Sequence, residues 1–136
     1  MIGRVRILIV EDDSTLRLGI RRILQAEGWQ VLRRSHWPRD LRAWAQACQA
    51  PRLILLGDSL GEMAAYYALA RLALMGGSFG RYGGQNLIEA TACGCPVVMG
   101  PHTFNFAEAA ELAEQAGAAI RVADLAEGVS VALHLA

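Results

Sequence analysis

The chain has 136 residues, of which 54% are hydrophobic and 19% charged, and its net charge at neutral pH is zero. This length and composition predict one folded domain with a buried core, and they exclude an intrinsically disordered chain. The apolar runs are shorter than the roughly 20 residues of a membrane helix, and the neutral charge argues against binding of nucleic acid.

The first sixty residues alternate between strand and helix patterns. A β-branched run predicts a strand over residues 4–10, and the acidic turn ending at Ser14 predicts the start of a helix that ends near Gly28. Residues 29–34 and 52–56 predict two further strands, and Pro38 suits the first turn of the helix between them. On the first helix we expect one face to pack on a sheet and the other to carry most of the arginines. The apolar face consists of Leu16, Ile20, Ile23 and Leu24, and the other face of Arg17, Arg21 and Arg22.

The second half of the chain continues the alternation. Predicted helices cover residues 62–72, 86–93 and 106–116, predicted strands cover residues 72–75, 96–99 and 120–123, and residues 125–135 form a last helix or a frayed tail. Apolar strands that alternate with amphipathic helices are typical of parallel pairing with right-handed crossovers. The sequence therefore predicts an α/β fold for residues 1–136: a single three-layer domain with a mostly parallel sheet and helices on both faces, Rossmann-like or flavodoxin-like.

In such folds ligands bind beyond the carboxyl ends of the strands. Four loops rich in glycine and short polar residues fall there, at residues 11–14, 57–62, 76–86 and 100–105. Gly83 and Gly84 allow backbone amides to approach a ligand closely, and a helix that begins near Asn86 directs its positive end at the same point. The pattern indicates a phosphate site, although glycine pairs also serve as simple turns.

Residues 1–30, with the run ILIVEDDSTLRLGIRRIL, resemble the first strand and helix of response-regulator receiver domains. The resemblance implies a magnesium ion at Glu11 and Asp12, and the alternative is an acidic turn that only caps the helix. Receivers need a phosphate-accepting aspartate where this chain has Gly57, with Asp58 one residue late, and a lysine, which this chain lacks entirely. The implied function is at most that of a degenerate receiver acting as an interaction module.

Residues 31–136 carry the motifs GDSLGEMAAYYALA, GGSFGRYGGQNLIEA and PVVMGPHTFNFAEAAEL. In order and spacing these motifs resemble the donor-binding half of bacterial lipid A Kdo transferases, which are glycosyltransferases of the two-domain GT-B fold. The resemblance implies that CMP or a CMP-sugar binds here, with the carboxylate of Glu89 accepting hydrogen bonds from the ribose. The implied nucleotide-binding residues are Gly57, Asp58, Ser59, Gly61, Glu62, Gly83, Gly84, Gln85, Asn86, Glu89 and His102.

The two resemblances conflict at the first strand. Carboxylates at Glu11 and Asp12 face the position where the Kdo transferase family places cations near the donor phosphate, so we expect weakened CMP binding. The simplest interpretation is a recombined or engineered scaffold with a remnant nucleotide site, no catalytic residue and no required cofactor. The alternative is the donor-binding part of a Kdo transferase that needs a partner domain. No export signal is recognisable, so we expect a cytoplasmic protein.

Overall fold

The computed structural model describes residues 7–10, 14–59 and 61–135. The chain divides into two compact units, an amino-terminal unit, Met1–Gly61, and a carboxy-terminal unit, Glu62–Ala136. Each contains parallel strands flanked by helices, which confirms the predicted α/β class. The described strands lie in two three-stranded sheets instead of one, while the assignment of the whole chain to a single domain stays a prediction.

The amino-terminal unit is built around its last strand, which lies between the other two in the order β1-β3-β2. Leu55 of the central strand pairs in parallel with Leu8 on one side and Leu32 on the other. All five residues of this strand are buried, as expected of a parallel strand covered on both faces. The elements are β1 (Ile7–Val10), α1 (Ser14–Ala26), β2 (Gln30–Arg33), a 3-10 turn (Arg34–His36), α2 (Leu41–Ala47) and β3 (Leu53–Gly57).

Helix α2 begins later than Pro38 suggests. The side chain of Asp40 accepts hydrogen bonds from the backbone N–H groups of Arg42 and Ala43, so Asp40 is the N-cap and the first helical residue is Leu41. An N-cap carboxylate that satisfies otherwise unpaired amides sets the start of a helix more strongly than a preceding proline does. Trp37 and Trp44 then pack against each other with ring centroids 4.6 Å apart.

The predicted faces of α1 are partly wrong. Ile23, expected on the buried face, is 66% exposed. Arg17 and Arg21, expected on the opposite face, line a pocket together with Arg33 of β2 and Leu56 of β3. The hydrophobic periodicity of α1 thus identifies the helix correctly, but it does not give the rotation of the helix about its own axis.

The carboxy-terminal unit has a second parallel sheet in the order β4-β5-β6, where Val98 pairs with Leu74 and Ile120. Its core includes Met75, Val97 and Met99 of the sheet, together with Leu87 and Ala110 of the helices packed on it. The elements are α3 (Met63–Leu69), β4 (Ala73–Met75), a 3-10 turn (Gly76–Ser78), α4 (Leu87–Ala92), β5 (Val97–Met99), a 3-10 turn (Phe104–Phe106), α5 (Ala107–Gln115), β6 (Ala119–Arg121) and α6 (Leu125–Leu135).

The last segment is a helix, which decides between the two alternatives left by the sequence. Asp124 accepts a hydrogen bond from the backbone N–H of Glu127, and the carboxylate of Glu127 accepts one from the backbone N–H of Ala123. This reciprocal capping arrangement satisfies amides that a helix start leaves unpaired. Within the described ranges, no helix combines the length and apolar character needed to cross a membrane.

Candidate functional site

The predicted site residues fall in both units. Gly57, Asp58, Ser59 and Gly61 belong to the amino-terminal unit, whereas Glu62 directly precedes α3 in the carboxy-terminal unit. The remaining predicted residues, Gly83, Gly84, Gln85, Asn86, Glu89 and His102, are also in the carboxy-terminal unit. A crevice shared by both groups stays a prediction.

Asp58 follows β3 directly, and its carboxylate forms hydrogen bonds inside the amino-terminal unit. Its Oδ1 accepts a hydrogen bond from the backbone N–H of Ser35 at 2.8 Å, and its Oδ2 accepts from Ser35 Oγ at 2.6 Å and Arg33 Nε at 3.1 Å. The carboxylate side chain is only 2% exposed. These bonds tie the end of β3 to the turn after β2, so a ligand could contact this carboxylate only by replacing some of them.

The environment of Asp58 gives a prediction for the pH dependence of stability. Burial acts to raise the pKa of the Asp58 carboxyl, but the hydrogen bonds from Ser35 and Arg33 outweigh it, so the net pKa is lowered. A lowered pKa in the folded chain means that the stabilisation is complete above the unfolded-state pKa of about 3.9 and is lost as the pH falls through the folded-state pKa.

We expect Asp58→Asn to lose about 1.5 to 3 kcal/mol of unfolding free energy at pH 7, because the charge-assisted bonds become weaker neutral ones or are lost. Urea unfolding of both proteins at pH 7 and at pH 3 measures this. The difference between them should shrink at the lower pH, because the unfolded wild-type chain binds a proton at this carboxyl there and the stabilisation of the folded state falls. A difference that does not change with pH would show that the carboxylate charge contributes nothing.

The loop with Gly83 and Gly84 is built by close backbone contact. Both glycines have left-handed backbone angles, with φ of +86° and +89°. A Cβ at Gly84 would lie 3.1 Å from the carbonyl oxygen of His102 and 3.2 Å from Cα of Thr103. The carbonyl of Gly83 accepts a hydrogen bond from the backbone N–H of Asn105 at 3.0 Å. The loops after β4 and β5 therefore meet backbone against backbone, an approach that only glycine allows.

The residues after the glycines fix the start of α4. The side-chain oxygen of Gln85 accepts a hydrogen bond from the backbone N–H of Gly77 at 3.2 Å, and that of Asn86 accepts from the N–H of Ile88 at 3.0 Å. Asn86 is therefore the N-cap of α4, whereas the sequence pattern places it within the helix as its first residue. Glu89 lies in the first turn and is exposed, so its carboxylate is accessible to a ligand.

Glu89 also influences a neighbouring helix. The pKa of Tyr67 on α3 is raised mainly by burial, and further by the charge of Glu89 and by the two thiols Cys95 and Cys93. The Glu89 carboxylate therefore lies within electrostatic range of the Tyr67 hydroxyl.

Two residues that organise this site were missed by sequence reasoning. Ser78, only 1% exposed, accepts a hydrogen bond at Oγ from the N–H of Gly100 at 2.7 Å and donates from Oγ to the carbonyl of Met75. Its own carbonyl accepts from the N–H of His102 at 3.0 Å. The only sequence signal is a hydroxyl residue directly after an apolar strand and two glycines. Ser78 therefore joins the carboxyl ends of β4 and β5.

Arg121 is the second missed residue. From the end of β6, its Nη1 donates to the carbonyl of Gly100 at 3.0 Å and to Thr103 Oγ1 at 3.1 Å, while Nε and Nη2 donate to the carboxylate of Glu114 at 3.3 and 3.2 Å. The sequence feature that could have identified Arg121 is its position as a single arginine at the end of an apolar strand. Arg121 holds the loop after β5 against the sheet.

The magnesium site predicted at Glu11 and Asp12 lies outside the described residues and stays a prediction. Within residues 7–10, 14–59 and 61–135, no three His, Cys, Asp or Glu side chains are grouped so that they could hold a metal ion. The three cysteines, Cys48, Cys93 and Cys95, are all free thiols. Burial raises the pKa of Cys48, and burial with the neighbouring Cys93 raises that of Cys95, so both buried thiols resist ionisation.

The arrangement of glycine loop, capped helix and exposed carboxylate invites comparison with known proteins. Part of this chain is similar in sequence to 3-deoxy-D-manno-octulosonic acid transferases. The enzyme of Bordetella pertussis is 60% identical over 82 residues, which make up 60% of this chain and 19% of that protein. The enzyme of Aquifex aeolicus is 35% identical over 77 residues, or 57% of this chain and 22% of that protein.

A solved structure supports the same comparison. The C-terminal CMP-Kdo binding domain of WaaA from Acinetobacter baumannii matches with a TM-score of 0.75 and 26% identity, covering 94% of this chain and 63% of that one. No protein-family model matches the chain. The chain spans only about a fifth of the length of these curated transferase relatives. The receiver-type resemblance of residues 1–30 stays a prediction.

Proposed function

We propose that this chain binds a CMP-sugar of the CMP-Kdo type, as the donor-binding part of a Kdo-type glycosyltransferase. The observation that carries the proposal is the glycine turn shortly before α4, in which Gly84 lies close to His102 and Thr103. The sequence similarity to Kdo transferases and the structural similarity to a CMP-Kdo binding domain support it.

The physical basis is a division of roles among neighbouring groups. In this proposal, amide N–H groups of the turn donate hydrogen bonds to the phosphate oxygens. Helix α4 has only six residues, so its dipole adds little and the turn itself is the main contributor. The exposed carboxylate of Glu89, one helical turn further, accepts hydrogen bonds from the ribose hydroxyls in this proposal.

Binding rather than turnover is proposed for the chain itself. Since it spans about a fifth of its relatives, the acceptor site and the catalytic base are proposed to reside in a partner domain. A cytoplasmic location and a recombined or engineered origin remain predictions. The expectation that Glu11 and Asp12 weaken CMP binding is testable, because magnesium would then increase the affinity by neutralising them.

Calorimetric titration of the full chain with CMP, with and without magnesium, tests the proposal. We expect saturable binding that Glu89→Ala weakens about tenfold, which corresponds to about 1.4 kcal/mol for the lost bonds to the ribose. Glu108→Ala is the matched control, since Glu108 is also an exposed carboxylate in the first turn of a helix. No heat at millimolar CMP, or equal weakening in both variants, would refute the proposed site.

A further inference from the structure

A pocket in the amino-terminal unit is lined by three arginines. It has a volume of about 180 Å³. Its wall consists of Ser14, Arg17, Leu18 and Arg21 of α1, Arg33 of β2 and Leu56 of β3. The four residues of α1 follow one another at intervals of three, one and three, so they form a single stripe along the helix.

The composition of this stripe differs in part from what packing alone favours. A helix that covers a sheet normally turns its large aliphatic residues inward and its arginines to solvent. Here Arg17 and Arg21 line the pocket, while Ile23 is 66% exposed. Arg17 and Arg21 are also four residues apart, a spacing at which like charges repel by a few tenths of a kcal/mol. Local rules are broken in this way mostly at functional sites.

Among the described residues that line the pocket, three are arginines and none is acidic. Arg33 donates through Nε to Asp58 at 3.1 Å, which engages one of the five N–H donors of its guanidinium. The side chain of Asp58 is buried, and its remaining hydrogen bonds come from Ser35. Arg21 and Arg33 thus bring two guanidinium groups to one small volume, with Arg17 beside them.

We propose that this pocket binds a small phosphate-type oxyanion. Guanidinium groups bind the oxygens of phosphate in a bidentate manner, and two or three that converge offset their mutual repulsion by sharing an anion. The volume holds about six water molecules, which suits phosphate or diphosphate but is below the 300 Å³ or so of a site for a larger ligand. All residues involved lie in the amino-terminal unit, so this inference does not depend on the proposed CMP site.

Titration of the full chain with inorganic phosphate, followed by calorimetry or by phosphorus NMR, tests this site. We expect saturable binding that weakens with added salt and is reduced at least tenfold by Arg21→Gln. Arg22→Gln is the matched control, because Arg22 is the adjacent residue of the same helix but is exposed and not part of the pocket wall. If Arg21→Gln fails to fold, Arg21→Lys keeps the charge, removes the bidentate geometry and should still weaken binding.

The outcomes separate this pocket from other sources of phosphate binding. No saturable binding at millimolar phosphate would overturn the proposal, and so would equal losses in Arg21→Gln and Arg22→Gln. Phosphate binding that survives Arg21→Gln but disappears in Gly84→Ala would place the anion at the glycine turn and also overturn it. Conversely, CMP binding that persists in Arg21→Gln while phosphate binding is lost would show two independent sites.

Discussion

The Gly84→Ala variant is expected to lose about 2 to 5 kcal/mol of unfolding free energy and to bind CMP much more weakly. A φ of +89° costs a residue with a side chain about 1 to 2 kcal/mol. The new Cβ would also lie 3.1 Å from the carbonyl oxygen of His102 and 3.2 Å from Cα of Thr103. Because both are backbone atoms, the loop itself has to move, and such overpacking costs about 1 to 3 kcal/mol more.

The variant Gly94→Ala separates the cost of the left-handed backbone angle from the cost of overpacking. Gly94 follows α4 with a φ of +72°, and no atom outside its immediate neighbours lies within 4 Å of the position that a Cβ would take there. This variant should therefore show only the backbone cost, and CMP binding should be retained. Urea unfolding of both variants measures the difference, expected at about 1 to 3 kcal/mol. Equal destabilisation would mean that the contact between the loops after β4 and β5 is loose.

Ser78→Ala is expected to destabilise the carboxy-terminal unit by about 1.5 to 4.5 kcal/mol. The substitution leaves the N–H of Gly100 without its acceptor in a buried position, which costs about 1 to 3 kcal/mol, and removes the bond to Met75, worth about 0.5 to 1.5 kcal/mol. No large cavity forms, since only one oxygen atom is removed. The loss therefore reports on hydrogen bonding more than on packing.

Ser130→Ala provides the control for this measurement. Ser130 is exposed in the middle of α6, so its replacement should change stability by less than about 0.5 kcal/mol. Urea and thermal unfolding of the two variants against the wild type give the comparison. If Ser78→Ala were as stable as Ser130→Ala, water or a rearranged loop would have to satisfy the Gly100 amide, and Ser78 would not organise the site.

The positions of the strands could be predicted from the sequence, but their pairing could not. Continuous apolar runs such as residues 53–56 identify buried parallel strands, and the structure confirms them. The number of sheets depends on which strands form hydrogen bonds to each other, and this is decided by contacts between residues far apart in the chain. The prediction of how α1 is rotated about its axis was partly wrong for a related reason. The pocket is lined by residues of α1, β2 and β3, and periodicity within the helix does not reveal which residues of other strands lie beside it.

In the candidate site, too, some residues could be predicted from the sequence and others could not. Gly83, Gly84 and Asn86 could be identified from the sequence because a glycine pair close to a helix start is a local pattern, while the left-handed angles and the N-cap role of Asn86 are seen only in the structure. Ser78 and Arg121 could not, because each reaches a residue more than 20 positions away in the sequence. Asp58 stands out in the sequence by its place after a strand, yet its hydrogen bonds depend on how β2 lies beside β3.

The contacts of Arg121 have a consequence for the thermodynamics of ligand binding. One guanidinium joins the carbonyl of Gly100, the hydroxyl of Thr103 and the carboxylate of Glu114, so the loop after β5 is anchored from β6 and α5. Immobilising a flexible side chain on association costs about 0.5 to 1.5 kcal/mol. Because this loop is already ordered in the folded chain, that cost does not arise again when a ligand binds. In the CMP complex that we propose, the nucleotide binds beside a preorganised loop, so conformational entropy reduces its affinity less than at a loop that orders on contact.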